Sequence, residues 1–304
     1  MEQRQSFDNF VNYIREAIPL YIDVRPEQIS YRNSEELLVI EKPVSAGVGR
    51  QALRVRDIYG EYENGMELLE VLELVGETVR NGEQILKKSP LKHVEDFEAI
   101  KDSLIVRPLN YKRNKEALRE FVYRRKDSIA LAAYIAVGEM AGIFSSCKVS
   151  VTMAEGWNKS SEEVLEAALQ NTLKLYPPRI CSWRHLNRLS IESDFGDFMN
   201  PRKAFWLNSG PGGNLLTTVN KLNGAAAIFL PGVAKRLGDL MEEDYLVAFT
   251  SMHEAMIHNL HTASVKSIRE VLDNMNKKIV SKEDFLTKDI YRYDRESDKL
   301  KIIT

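Results

Sequence analysis

The chain predicts an α+β fold: a mixed, mainly antiparallel sheet with flanking helices, arranged as two subdomains. Three observations predict it. Apolar residues recur at three- and four-residue spacing near both ends of the chain, the signature of amphipathic helices. Short β-branched or alternating runs read as strands. Turn chemistry at Asn33-Ser34, Asn223-Gly224 and residues 295–298 joins several of those runs as hairpins, which makes the sheet mainly antiparallel.

Residues 7–18 open the chain as a helix, with Phe7, Phe10, Val11, Ile14 and Ile18 on one face and Pro19 at its end. Residues 29–31 and 37–40 form a hairpin around Asn33-Ser34. Residues 52–58 alternate with Arg54 and Arg56 as a half-exposed strand does. After Asn64-Gly65 a long helix covers residues 66–87, with Met66, Leu69, Leu72, Val75 and Val79 as its apolar stripe. Ser89-Pro90 is the best break, which gives an amino-terminal α+β subdomain over residues 1–89 and a carboxy-terminal α+β domain over residues 90–304. Residues 94–101 read as a short helix, 104–109 as a strand and 112–121 as a helix. The apolar run 129–137 fits a central strand or a buried helix equally well. Residues 149–153 favour a strand through β-branching, and Ser160-Ser161-Glu162-Glu163 starts a helix that ends before Pro177-Pro178. Residues 264–275 are helical, and residues 290–293 pair with 300–303.

The stretch 215–256 carries the densest signal. It reads as a partly exposed strand at 215–219, a turn at 221–224, a buried strand at 225–230, a helix at 233–241 and a second buried strand at 245–249. Ser251, His253 and Glu254 follow at a strand end or loop, where side chains can reach a ligand. Gly224-Ala225-Ala226, Leu230-Pro231-Gly232-Val233, Ser251 with His253-Glu254, and Tyr291-Arg292-Tyr293-Asp294-Arg295 stand out here. With them go Leu109-Asn110-Tyr111, Asn114, Tyr123-Arg124-Arg125 before the run 129–137, and residues 160–172 with Ala167-Ala168 and Asn171-Thr172. In these blocks the chain resembles a bacterial family of unknown function, domain family 5688, with a weaker likeness to a second uncharacterised bacterial family. The resemblance implies a shape and carries no activity. Val122 departs from it where the family pattern has proline, and residues 179–214 form an insert longer than the usual connection.

Composition narrows the class. The 304 residues are 44% hydrophobic and 28% charged, and 42 basic against 44 acidic side chains leave a net charge of −2, so no global field attracts nucleic acid or an anionic membrane. The first residues lack a basic and apolar leader, no run approaches a membrane span, and Cys147 and Cys181 suit two reduced thiols rather than a disulfide framework. A cytoplasmic location is therefore expected.

Candidate chemistry gathers at His253, Glu254, His258 and His261. A zinc-protease helix needs histidines four residues apart, about 40° around the axis; His253 and His258 are five apart, about 140°. His258 and His261 can share a helical face as weak metal candidates. The nonmetal alternative is His253 with Glu254 as an acid/base pair and Ser251 or a bound water as nucleophile. The bland reading has His253 in a buried polar network and Glu254 facing water. Gly210-Pro211-Gly212-Gly213 lacks the lysine and hydroxyl of a phosphate loop. Tyr123-Arg124-Arg125-Lys126 with Lys112, Arg113 and Lys115 reads as a solvated basic face. Trp183, His185, Phe205 and Trp206 either pack the insert or offer a protein-binding surface. No complete catalytic constellation can be assembled, so the expected function is a binding or regulatory module, with a protein partner at the 179–214 insert; a hydrolase-like enzyme built on His253 and Glu254, metal-assisted or not, is the alternative. No cofactor is specified.

Overall fold

The computed structural model describes residues 4–32, 36–44, 47–88, 90–140, 143–182, 197–202, 204–278, 280 and 284–303. The turn at Asn33-Ser34, Ser89 of the expected break, and Trp183 and His185 lie outside the described residues. The fold class is α+β, and every strand pairing with a described register is antiparallel. The chain divides into two units, Met1–Val94 with Val137–Ser145, and Glu95–Ala136 with Ser146–Thr304.

In the first unit, α1 (Phe7–Ala17) buries Phe10, Val11 and Ile14 and passes at Pro19 into a single 3-10 turn. Strands β1 (Ile29–Arg32), β2 (Leu37–Val44) and β3 (Gly47–Arg54) form a three-stranded sheet in that order. The strand expected over residues 52–58 is corrected: β3 stops at Arg54 and α2 (Val55–Glu63) begins. Val55, Tyr59 and Tyr62 are all buried at helical spacing, and that longer period outweighs the brief alternation around the two arginines. In α3 (Leu68–Lys88) the buried stripe is Val71, Leu72, Val75 and Val79, whereas Leu69 is 56% exposed. These residues close a core with Leu38 and Ile40 in which Phe10 stacks on Tyr62 at 5.1 Å. Each such aliphatic or aromatic side chain contributes roughly 1.5–3 kcal/mol by leaving water.

Next along the chain come α4 (Phe97–Ile100), β4 (Leu104–Asn110), α5 (Tyr111–Leu118), β5 (Tyr123–Lys126), β6 (Ile129–Met140) and β7 (Ile143–Lys148), of which the second unit takes β6 up to Ala136 and β7 from Ser146. β6 lies between β4 and β5 and also pairs with β7. Residues 129–135 are buried on both faces, which makes the ambiguous apolar run a central strand. Val122 has a structural reason to depart from proline, since its N–H donates to the Val149 carbonyl at 2.9 Å. The strand expected at 149–153 is α6 (Val151–Gly156), because the Ser150 hydroxyl caps it by accepting from Met153 N–H at 3.0 Å. In α7 (Ser161–Leu175), Ser160 and Glu163 form a reciprocal capping box. Its Thr172 hydroxyl accepts from Val106 N–H at 2.9 Å and ties the helix to β4.

A six-stranded sheet follows, built from β8 (Pro178–Ser182), β9 (Asn214–Thr218), β10 (Tyr245–Ser251), β11 (Glu254–Asn259), β12 (Ile290–Asp294) and β13 (Lys299–Ile303). Its order is β13-β12-β10-β11-β9-β8. Two helices complete the unit, α8 (Val233–Met241) and α9 (Val265–Lys278). One sheet face packs Leu215, Leu246, Ala248 and Met256 against Ile268 and Leu272 of α9. On the other, Phe249 stacks with Phe229 at 5.9 Å and Tyr245 with Tyr293 at 4.9 Å. Two expectations change. β9 is buried throughout rather than partly exposed, and residues 224–229 form a 3-10 helix rather than a strand. Asn223 does take the left-handed conformation expected of a turn (φ 54°), but three consecutive alanines lack the β-branching that favours a strand. Their small size lets this segment approach the sheet end closely.

Candidate functional site

The β10–β11 hairpin is drawn tight at its end. Phe249 pairs with Ala255 and Ser251 with Glu254, so Thr250 is the extra residue of a bulge and Met252-His253 form the turn. The bulged Thr250 hydroxyl donates to Glu254 Oε1 at 2.8 Å. His253 N–H donates to Ser251 Oγ at 3.0 Å, Met252 N–H to the Asp284 carbonyl at 2.7 Å, and the Thr217 hydroxyl to the His253 carbonyl at 2.8 Å. Gly224 makes this possible: a Cβ there would lie 2.2 Å from Thr217 Oγ1 and 2.4 Å from the His253 carbonyl oxygen.

The His253 imidazole is held at both nitrogens. Nδ1 accepts from Asn223 N–H at 3.1 Å, which leaves the ring proton on Nε2, where it faces Asp284 Oδ1 at 3.2 Å. The structure places Ser251, His253 and Glu254 together at this turn. Their contacts run through the turn backbone: Ser251 Oγ meets the His253 amide, and Glu254 meets Thr250. Asp284 was missed because only chain folding brings it to the hairpin from 31 residues away. The weak metal candidates are separated. His258 is buried, while His261, with 84% of its side chain exposed, pairs with Glu243 at 3.0 Å. Among the described residues no group of three or more histidine, cysteine or acidic side chains could hold a metal ion.

Beside the turn lies a cleft of about 660 Å³, lined by Pro108, Leu109, Asn110, Arg113, Asn114, Met252 and Phe285. Four contacts build it. Asn110 Oδ1 caps α5 by accepting from Arg113 N–H at 2.9 Å, while its Nδ2 donates to the Leu286 carbonyl at 2.7 Å. Asn114 Nδ2 donates to the Asn110 carbonyl at 2.9 Å. The Arg113 guanidinium lies over the Phe285 ring, 4.8 Å from its centroid. Two segments read separately in the sequence, Leu109-Asn110 with Asn114 and the Ser251–Glu254 turn through Met252, therefore meet on one wall. Arg113, which the sequence assigns to a basic face, is the charged side chain on that wall among the described residues. Neither this cleft nor the other cavity described below is lined by His253 or Glu254.

The remaining sequence features resolve locally. Gly213 N–H donates to the Gly210 carbonyl and Gly210 N–H to Asn208 Oδ1, so the glycine loop turns amides inward. Arg124 pairs with Glu162, and Arg125 lies 4.1 Å over the Tyr111 ring. Cys147 and Cys181 are not in a disulfide, and burial pushes the Cys147 thiol up. In the insert Phe198 is fully buried against Phe205, whereas Trp206 is 83% exposed.

No helix among the described residues is long and apolar enough to cross a membrane. No curated protein and no solved structure matches the chain. A family model does match, described as a family of unknown function (DUF5688), over residues 5–295. That span covers most of both units and every element that forms the cleft, and the chain belongs to this family.

Proposed function

We propose that this chain is an intracellular ligand-binding module, with a small anionic organic molecule seated in the cleft of Asn110, Arg113, Asn114, Met252 and Phe285. The observation that carries this reading is the makeup of that wall. A guanidinium held over an aromatic ring stands beside two amides and apolar surface, within a volume typical of small-molecule sites. Such a wall favours a carboxylate or similar anion attached to a flat apolar body, because the charge meets Arg113 while the body covers Phe285 and Met252. His253 supports the wall from behind as a positioning residue, by anchoring the turn that carries Met252 to Asn223 and Asp284.

One observation favours the hydrolase-like alternative, namely the contact of His253 with Asp284, an imidazole beside a carboxylate. Against it, the Nδ1 lone pair is already used by a backbone amide and Nε2 carries the proton, which leaves no ring nitrogen to take a proton from Ser251. The test pairs two assays. In thermal unfolding, benzoate is expected to raise the midpoint of the wild-type chain and benzamide is not, and Arg113→Gln is expected to remove the difference. Hydrolysis of nitrophenyl acetate that is lost in both His253→Asn and Ser251→Ala would instead establish the enzyme.

A further inference from the structure

A second cavity, of about 270 Å³, lies between α9 and the six-stranded sheet. His258, Thr250 and Met256 form its floor, Ile268 and Leu272 its roof, and Pro211 one end. The lining contains no Asp, Glu, Lys or Arg among the described residues. Its one ionisable group is His258, which is 9% exposed and whose Nδ1 is buried with no hydrogen-bond partner among the described residues. The glycine loop packs directly on that ring: a Cβ at Gly213, where φ is +65°, would lie 2.6 Å from Nδ1. Burial holds the imidazole below its ordinary value, opposed by a hydrogen bond from the ring to the Pro211 backbone carbonyl. A neutral ring in a lining without formal charge disfavours an ionic ligand, whose desolvation nothing offsets. It suits an apolar body with one group that can either donate to or accept from an imidazole, whichever tautomer is present. A hydroxyl does both.

We propose that this cavity binds a small, neutral, largely apolar molecule carrying a hydroxyl group, such as a phenol, with the hydroxyl on His258. A benzene ring fits a cavity of about 150 Å³, so the volume here accommodates one ring with a short alkyl substituent. The proposal is independent of the anion cleft, which is lined by other residues. It gives the Gly210–Gly213 turn a role as a wall rather than a phosphate cradle.

The test compares para-ethylphenol with para-ethyltoluene, which has a methyl in place of the hydroxyl, by amide chemical-shift titration of the full chain. Saturable binding of para-ethylphenol is expected, with shifts at Gly212, Gly213 and along α9, and about tenfold tighter than para-ethyltoluene. Ala263→Trp, at the rim, is expected to abolish binding of both, His258→Phe to remove the preference, and Arg113→Gln to change neither. Absence of saturable binding, shifts remote from Gly212, Gly213 and α9, or equal affinity for the two probes in the wild-type chain would each overturn the proposal. Should His258→Phe fail to fold, the probe pair and Ala263→Trp decide the matter by themselves.

Discussion

At the scale of single residues, Gly224 and His253 are two halves of one device: the glycine admits the close approach and the imidazole locks it. Gly224→Ala is therefore expected to cost about 1–3 kcal/mol through overpacking against the His253 carbonyl and Thr217. Gly60→Ala, in α2 with nothing within 4 Å of the new methyl, is expected to stabilise by about 0.5–1 kcal/mol. Denaturant midpoints measure both, and a neutral Gly224→Ala would contradict the close approach. His258 gives a pH signature. Its folded-state value is depressed by burial, so below about pH 6.5 the unfolded chain binds the proton more readily than the folded one. Its contribution is thus complete above that pH and is lost as pH falls from there toward the depressed folded value. Replacing His258 by Phe is expected to flatten the fall in stability across that interval, and an unchanged profile would count against the burial of the ring.

Whole elements show which signals in the sequence were legible. The motif Tyr291-Arg292-Tyr293-Asp294-Arg295 is period-two as far as Asp294, where its strand ends. Tyr291 and Tyr293 enter the core, while Arg292 reaches out to Asp244 at 2.6 Å and Asp294 meets Lys301 at 2.6 Å. Asp244 is held below the usual carboxylate range by the Arg295 backbone N–H and the Arg292 guanidinium. Asp244→Ala is expected to cost about 1–2 kcal/mol at neutral pH, discounted for partial exposure. The difference from wild type should shrink as pH falls from about 4 toward the depressed folded value of the carboxylate; a difference that stays undiminished through that interval would refute the ion pair. Helices with long apolar stripes and the closing hairpin could be read directly, because one dominant period fixed each of them. Where two local signals competed, the sequence misled. Ser150 as a cap overrode β-branching at Val151 and Thr152, and the alanines after Gly224 filled a close contact that no local pattern encodes.

For the molecule as a whole, topology rather than local pattern assembles the candidate site. The turn at 251–254 was legible because polar chemistry follows directly on a buried strand. Asp284, Phe285 and the cleft itself were not, since Phe285 meets Arg113 only after chain folding brings together residues 172 positions apart. The same folding that gathers the wall spends the imidazole of His253 on anchoring, which separates the expected catalytic residues from the surface best built to receive a ligand. Trp206 is exposed, and Trp206→Ala is expected to leave the unfolding midpoint unchanged.

The central claim, that the cleft beside the turn receives an anion while His253 only holds the turn in place, is tested most directly by amide chemical-shift titration of the full chain with benzoate. The account predicts saturable shifts of the Asn110 and Asn114 side-chain amides that are abolished in Arg113→Gln. Shifts that bypass both asparagines, or that persist undiminished without the guanidinium, would contradict it.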